Sequence, residues 1–274
     1  MRSSEALGFW SSWTQRLWRK AEAAWLERDG QDHFYRRTVV VPALRARLER
    51  WAKSPEMRLV DVGCGDAFTT HLLLRESHAV RSRTREIVLI DRSAAELRAA
   101  RRSFSAAEVN AVRADVLSPD WQRHMPKSTR ATAFCAVFVL QELPMLGPIL
   151  RGLRGAMRRG DIFLAIIVAP QYADSLRASG KIMMAAAKPT PRRDWSWAAG
   201  YPITTPTGTI YLPHFQRPLS SYRRLFRAAG LVVESWEGLG IGTSRRANGV
   251  FDKTIYGRRI VGRVSSRLLV ARRG

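Results

Sequence analysis

The stretch Leu59-Val60-Asp61-Val62-Gly63-Cys64-Gly65-Asp66 decides the fold, because it carries an apolar run into a two-glycine turn at the threshold of a helix. Residues 58–62 read as a strand buried on both faces, and 68–74 as the helix that follows. Gly63 and Gly65 permit a tight turn and let the backbone approach a ligand with no Cβ in the way. The next helix points its first amides toward the same place. Asp61 sits just ahead of the turn, where a carboxylate serves phosphate poorly but can accept a hydrogen bond from an ammonium group. Phe68 occupies the place where a dinucleotide loop carries its third glycine, and the phosphate-binding lysine motif is missing.

Outward from this stretch, apolar runs at 86–90, 133–140 and 162–168 alternate with helical stretches at 94–103 and 149–157. Such alternation builds a parallel sheet covered on both faces, with ligands beyond the carboxyl ends of the strands. A helix at 220–229 closed by Gly230, a strand at 231–235 and a final strand at 266–271 continue the pattern. Residues 169–218 break it with Pro, Gly, Thr and Trp, and a hairpin is expected around Thr205-Pro206-Thr207-Gly208.

Two further strand ends carry carboxylates. Val88-Leu89-Ile90-Asp91 places Asp91 where an acid can bind both hydroxyls of a ribose. Val112-Arg113-Ala114-Asp115-Val116 ends in Asp115, which can accept from the exocyclic amine of adenine. One aspartate at a strand end is commonly a cap or turn residue. Three in succession, the first beside Gly-x-Gly, point to a nucleoside that also carries an ammonium group.

This succession resembles the class I S-adenosylmethionine-dependent methyltransferases over about residues 30–235. The matching residues are Asp61-Val62-Gly63-Cys64-Gly65, Ile90-Asp91, Ala114-Asp115-Val116 and Val139-Leu140-Gln141-Glu142-Leu143. The resemblance implies an α/β fold: a Rossmann-like doubly wound sheet, mostly parallel with an antiparallel last strand. An N-terminal helical lid and an inserted hairpin-containing cap would complete it. S-adenosyl-L-methionine would be the cofactor and S-adenosyl-L-homocysteine the product. Asp61, Gly63 and Gly65 would hold the methionine end, Asp91 the ribose, and Asp115 with Val116 the adenine, with Cys64 and Arg92 also against the cofactor. Phe138 would line the pocket, and Tyr35 or Arg36 would approach the cofactor carboxylate.

The segments Pro213-His214-Phe215-Gln216-Arg217-Pro218 and His33-Phe34-Tyr35-Arg36-Arg37 resemble those of small-molecule members of that group, of secondary-metabolite type. Gln141 and Gln216 depart from it, standing where relatives often carry histidine. Methyl transfer itself asks mainly for alignment, and a base only where the nucleophile keeps a proton of high pKa. Glu142 and His214 are the catalytic candidates. For each there is a plainer reading, a helix-terminal carboxylate for Glu142 and an ordinary loop histidine for His214. Trp13, Gln141, Trp197, Tyr211, Gln216 and Arg217 are the candidates for the acceptor site. Histidine spacing suggests no metal.

The net charge of +23 suggests an acidic partner on its face. Only six of the 46 basic residues are lysine, however, and the arginines are spread along the chain, as a biased base composition would produce. Neither a catalytic-cysteine nor an Asn-Pro-Pro-Tyr-like motif follows the fourth strand, which argues against a nucleic-acid substrate. An RNA methyltransferase and a cofactor-promoted cyclisation without methyl transfer remain the alternatives. Residues 9–25 form an amphipathic pattern rich in Trp, suited to packing on the main domain, to a lid or to a membrane surface. No run approaches the ~18 apolar residues of a membrane span. Two separated cysteines suggest no disulfide and a reducing, cytoplasmic setting. One methyltransferase domain over 1–274 is expected: lid 1–55, cofactor-binding core 56–170, substrate-cap insert 171–218 and C-terminal completion of the sheet 219–274. The sequence does not indicate the oligomeric state.

Overall fold

The computed structural model describes residues 3–26, 34–51, 56–105, 108–180, 182–184, 195–205, 208–240 and 264–274. The Gly- and Arg-rich stretch at 238–262, unassigned by its sequence pattern, lies outside them beyond residue 240.

Ten strands are described. In chain order they are β1 (Met57–Val62), β2 (Thr84–Asp91), β3 (Val109–Arg113), β4 (Ala131–Val137), β5 (Ile162–Val168), β6 (Met183–Met184), β7 (Trp197–Thr205), β8 (Gly208–Gln216), β9 (Leu231–Leu239) and β10 (Ser266–Arg273). Seven form one sheet in the order β3-β2-β1-β4-β5-β10-β9. β1 pairs in parallel with β2 and β4, and β10 runs antiparallel to both β5 and β9. The doubly wound sheet with its antiparallel last strand is therefore as expected. The order reverses between β1 and β4, the switch point at which open α/β sheets bind ligands.

The central strands are buried on both faces because their side chains alternate between two cores. Leu59, Leu89, Cys135 and Leu164 face one core, which Val41–Trp51, Phe68–Glu76 and Ala94–Arg102 complete with Leu44, Leu72 and Leu97. Val60, Val88, Phe134 and Phe163 face the other, closed by Gly147–Ala156 and Leu219–Ala228 through Leu150, Leu153 and Phe226. That two-sided burial is why these strands read as continuous apolar runs.

The run at 133–140 was expected to be strand throughout. β4 stops at Val137 because Phe138 takes φ 60 and turns the chain into a 3₁₀ turn, Leu140–Glu142. The inserted hairpin is also longer than the turn signal implied. β7 and β8 pair from Thr205↔Gly208 to Trp197↔Gln216, so His214, Phe215 and Gln216 lie in a strand and not in a loop. The N-terminal helix α1 (Ser3–Leu26) packs on this hairpin. Trp10 sits against Trp195 and Phe215, and Ala21 against Leu212. Among the described residues, no helix is long and apolar enough to cross a membrane.

Candidate functional site

Beyond the carboxyl ends of β1, β2 and β4 lies a cavity of about 460 Å³, within the size range of small-molecule sites. Its floor is the loop after β1. Gly63 and Gly65 take φ 72 and 55, a left-handed conformation that disfavours side chains. A Cβ on Gly63 would meet Val139 Cγ2 at 2.6 Å, so the close approach of two loops also requires glycine there. The Gly63 and Cys64 amides both donate to the Ile90 carbonyl, at 2.8 and 3.0 Å, which ties the loop to the end of β2. Asp66 accepts from the Phe68 amide and opens the next helix.

Asp61 is 3 % exposed, and its Oδ2 accepts from the Thr70 hydroxyl at 2.5 Å. Burial pushes its carboxyl up to about 6, a rise that Thr70 and the nearby Arg36 guanidinium offset in part. Asp91 lines the cavity from the end of β2. Its two oxygens accept from the Gly65 amide (3.0 Å) and the Ser93 amide (2.8 Å). Burial raises its pKa, and these amides pull it back. Asp115 follows β3, accepts from the Leu117 amide at 2.9 Å and, with Val116, forms the third strand-end wall. Arg92 lines the same cavity.

The structure separates the paired candidates Tyr35 and Arg36. A π-helical turn, Arg36–Val40, follows Tyr35 and directs the two side chains apart. The Tyr35 hydroxyl bonds Ser265 and Ser266 at 2.8 and 2.6 Å in the core beside β10, and the residue is not among the lining set. Arg36 is in that set. It donates to the Thr69 hydroxyl at 2.7 Å, and its guanidinium lies 5.5 Å from the Phe138 ring centre.

Glu142 and Phe138 line the cavity from the segment after β4. His214 does not join them. It is buried between Trp197 and Tyr201, and its Nε2 meets Gln216 Oε1 at 3.1 Å. Burial pushes the imidazole down to about 4, so it is neutral at physiological pH.

The acceptor-site candidates are also placed elsewhere than in the described lining. Trp13 packs on Trp10 and Phe215. Trp197 donates its indole N–H to Asp174, and Gln216 donates to the Pro170 carbonyl and Asp174. Tyr211 stands on β8 opposite Pro202. Gln141 donates to the Phe138 carbonyl at 2.7 Å. Arg217, 1 % exposed, donates to the Leu140, Leu143 and Phe215 carbonyls. Trp197, Gln216 and Arg217 each tether one segment to another. A buried guanidinium spanning three carbonyls is a structural clamp, and composition alone gives no sign of it.

A helical lid was expected, but the residues by which it lines the cavity were not. Thr14, Gln15, Trp18 and Arg19 of α1 line the cavity, as do Thr69, Ser93 and Glu96. Sequence reasoning also missed the local charge. Six carboxylates (Asp61, Asp66, Asp91, Glu96, Asp115, Glu142) face three guanidiniums (Arg19, Arg36, Arg92), a reversed balance within a chain of net +23.

No protein-family model and no curated protein sequence matches the chain. Solved structures do. An S-adenosylmethionine-dependent methyltransferase from Mesorhizobium loti aligns with a TM-score of 0.53 at 19% identity, over 85% of this chain and 96% of its own. The glycopeptide N-methyltransferase MtfA, complexed with sinefungin, gives 0.55 at 13% identity, over 85% and 86%. The CcbJ methyltransferase from Streptomyces caelestis gives 0.52 at 12% identity, over 85% and 96%. The chain thus has the fold of the class I S-adenosylmethionine-dependent methyltransferases.

Proposed function

We propose that this protein is an S-adenosylmethionine-dependent methyltransferase acting on a small-molecule acceptor. The observation that carries the reading is the cavity at the switch point, where three strand-end carboxylates and a glycine loop meet in a predominantly acidic chamber. S-adenosylmethionine is a cation with an ammonium, a ribose diol and an adenine amine, and the chamber holds an acceptor suited to each. Asp61 receives the ammonium, Asp91 the ribose hydroxyls and Asp115 the adenine amine. Val116 and Leu117 flank the base, and Arg36 meets the ligand carboxylate. Gly63 lets the backbone come close where a Cβ would collide with Val139.

When bound, the cofactor supplies an electrophilic methyl on a sulfonium and leaves as a neutral thioether. The chain's own contribution is to orient the acceptor and take its proton. Of the two catalytic candidates, Glu142 is the one in the cavity wall, and it is the proposed proton acceptor. Neutral, buried His214 serves the cap instead. A small acceptor fits a chamber roofed by α1 and walled by Phe138, Val139 and Leu143. The likeness to a glycopeptide N-methyltransferase supports the natural-product class.

Two measurements test this reading. Isothermal titration with S-adenosylhomocysteine should show one site of micromolar affinity, and absence of binding at millimolar ligand rejects the cofactor. Incubation with methyl-tritiated S-adenosylmethionine and cell extract should label the low-mass fraction. Label confined to RNA or protein rejects the acceptor class.

A further inference from the structure

Asp61, Asp91 and Asp115, the carboxylates suited to the cofactor's own groups, stand at the ends of β1, β2 and β3. Glu142 lies apart from them, on the turn that follows β4, across β1 from β2 and β3. It is half-buried and lines the cavity with Phe138, Val139 and Leu143. A carboxylate in so apolar a wall is weakly screened, and its field acts on whatever enters beside it.

Two properties of the chamber bear on the atom that accepts the methyl. The first is charge. With six carboxylates against three guanidiniums, the described lining stays negative even after a cofactor with one net positive charge has entered. An anionic acceptor, whether carboxylate, phenolate or thiolate, would enter against that field.

The second is basicity. The described lining offers carboxylates but no histidine, lysine or tyrosine. A carboxylate is a poor match for a hydroxyl of pKa about 10 or above, which must lose its proton to attack. An amine needs no such help. It attacks with a lone pair and becomes positive as the new bond forms, which a negative chamber stabilises.

We infer that the acceptor is an amine, methylated on nitrogen beside Glu142. The inference rests on the methyltransferase reading given above and adds the accepting atom to it. The neutral amine's lone pair forms the N–C bond as the C–S bond breaks, and the electron pair of that bond stays on sulfur. Positive charge thereby passes to the nitrogen, next to the Glu142 carboxylate. The extra N–H proton then leaves through Glu142 to water, and the methylated amine departs neutral.

Two measurements decide it. In the first, cell extract is incubated with the protein and S-adenosylmethionine bearing a carbon-13 methyl. The carbon shift of the labelled methyl in the low-mass fraction identifies the accepting atom. An N-methyl signal is expected, and a methyl on oxygen, sulfur or carbon overturns the inference.

The second measurement needs no turnover. Sinefungin carries an ammonium in place of the methyl sulfonium, whereas S-adenosylhomocysteine is uncharged there. In titration calorimetry the parent should bind sinefungin roughly tenfold more tightly, the worth of one charge-assisted hydrogen bond. Glu142→Gln should erase that preference and bind S-adenosylhomocysteine within about threefold of the parent. A preference missing from the parent, or surviving in Glu142→Gln, overturns the inference. A parent that binds S-adenosylhomocysteine and labels no small molecule is a different result and sinks the proposed function instead.

Discussion

The Gly65 amide donates a 3.0 Å hydrogen bond to Oδ2 of Asp91, so the loop after β1 is held by the carboxylate that ends β2. Asp91 therefore has two duties, to shape the glycine loop and to present its remaining lone pairs to a ligand. Asp91→Ala should weaken S-adenosylhomocysteine binding by about two orders of magnitude, the loss of a charged, bidentate acceptor. Amide exchange at residues 63–66 should quicken in the same variant. Asp91→Asn, with one carbonyl oxygen left, should fall between. Parent-like affinity in Asp91→Ala would remove the ribose assignment.

Gly63 combines a left-handed backbone with a 2.6 Å approach of its virtual Cβ to Val139. Gly160 takes φ 95 and has nothing within 4 Å of its virtual Cβ. Gly160→Ala should thus lose about 1 kcal/mol from backbone strain alone. Gly63→Ala should lose about 2–4 kcal/mol, or roughly 5–12 °C in Tm for a chain of this size. Gly63→Ala/Val139→Ala should recover the packing part and leave the backbone part. Equal Tm values for the two single variants would show that the contact with Val139 is soft.

The residues of the site's floor were legible and those of its helical lid were not, for a physical reason. Asp61, Gly63, Gly65, Asp91 and Asp115 announce themselves because a strand end is a local signal: an apolar run stops and a polar or flexible residue follows. Thr14, Gln15 and Trp18 belong to a helix whose partner is set by tertiary packing. Helical periodicity identified its apolar face but not the surface that face would meet. Arg217 is an acceptor-site candidate in the sequence because it lies in the segment Pro213–Pro218 that resembles small-molecule methyltransferases. It is instead the buried tie between β8 and the turn after β4, and in a chain with forty arginines nothing local marks those that are buried. The sheet itself followed from two-sided burial, which writes largely apolar runs into β1, β4 and β5.

Asp61 gives the site a pH dependence with a defined sign. Burial raises its carboxyl from 3.8 to about 6 in the folded, ligand-free protein. A raised pKa means that folding favours the protonated form, so this group's contribution to stability is full below about pH 4. It is lost as pH climbs through 6, a change on the order of 3 kcal/mol. Ligand affinity should move oppositely, because the ammonium of S-adenosylhomocysteine seeks the carboxylate. Its Kd should tighten roughly tenfold between pH 5 and 7.5 and then level. Asp61→Asn should flatten that profile and weaken binding at pH 7.5. A profile in the parent that is level from pH 5 upward would separate Asp61 from the ammonium.

The same logic of a buried charge applies to Arg217, with a different outcome. Its Nη2 donates to the Leu143 carbonyl at 2.7 Å and its Nη1 to the Leu140 carbonyl at 3.2 Å. The turn Leu140–Glu142 that presents Glu142 to the cavity is therefore pinned from behind by β8 and the residue after it. Arg217→Met fills the volume but leaves buried carbonyls unpaired, and should lower stability by about 3 kcal/mol, or roughly 6–12 °C in Tm. Arg217→Lys brings a single point charge where a planar fork spans two carbonyls, and should recover only part of this. Binding of S-adenosylhomocysteine at 10 °C, well below either Tm, should change less than threefold, because Asp61, Asp91 and Asp115 are untouched. Methyl transfer should fall much further, in kcat more than in the KM for S-adenosylmethionine, since the displaced group is Glu142. If Arg217→Met instead lost the cofactor and kept kcat, the clamp would belong to the binding floor and not to the proton acceptor.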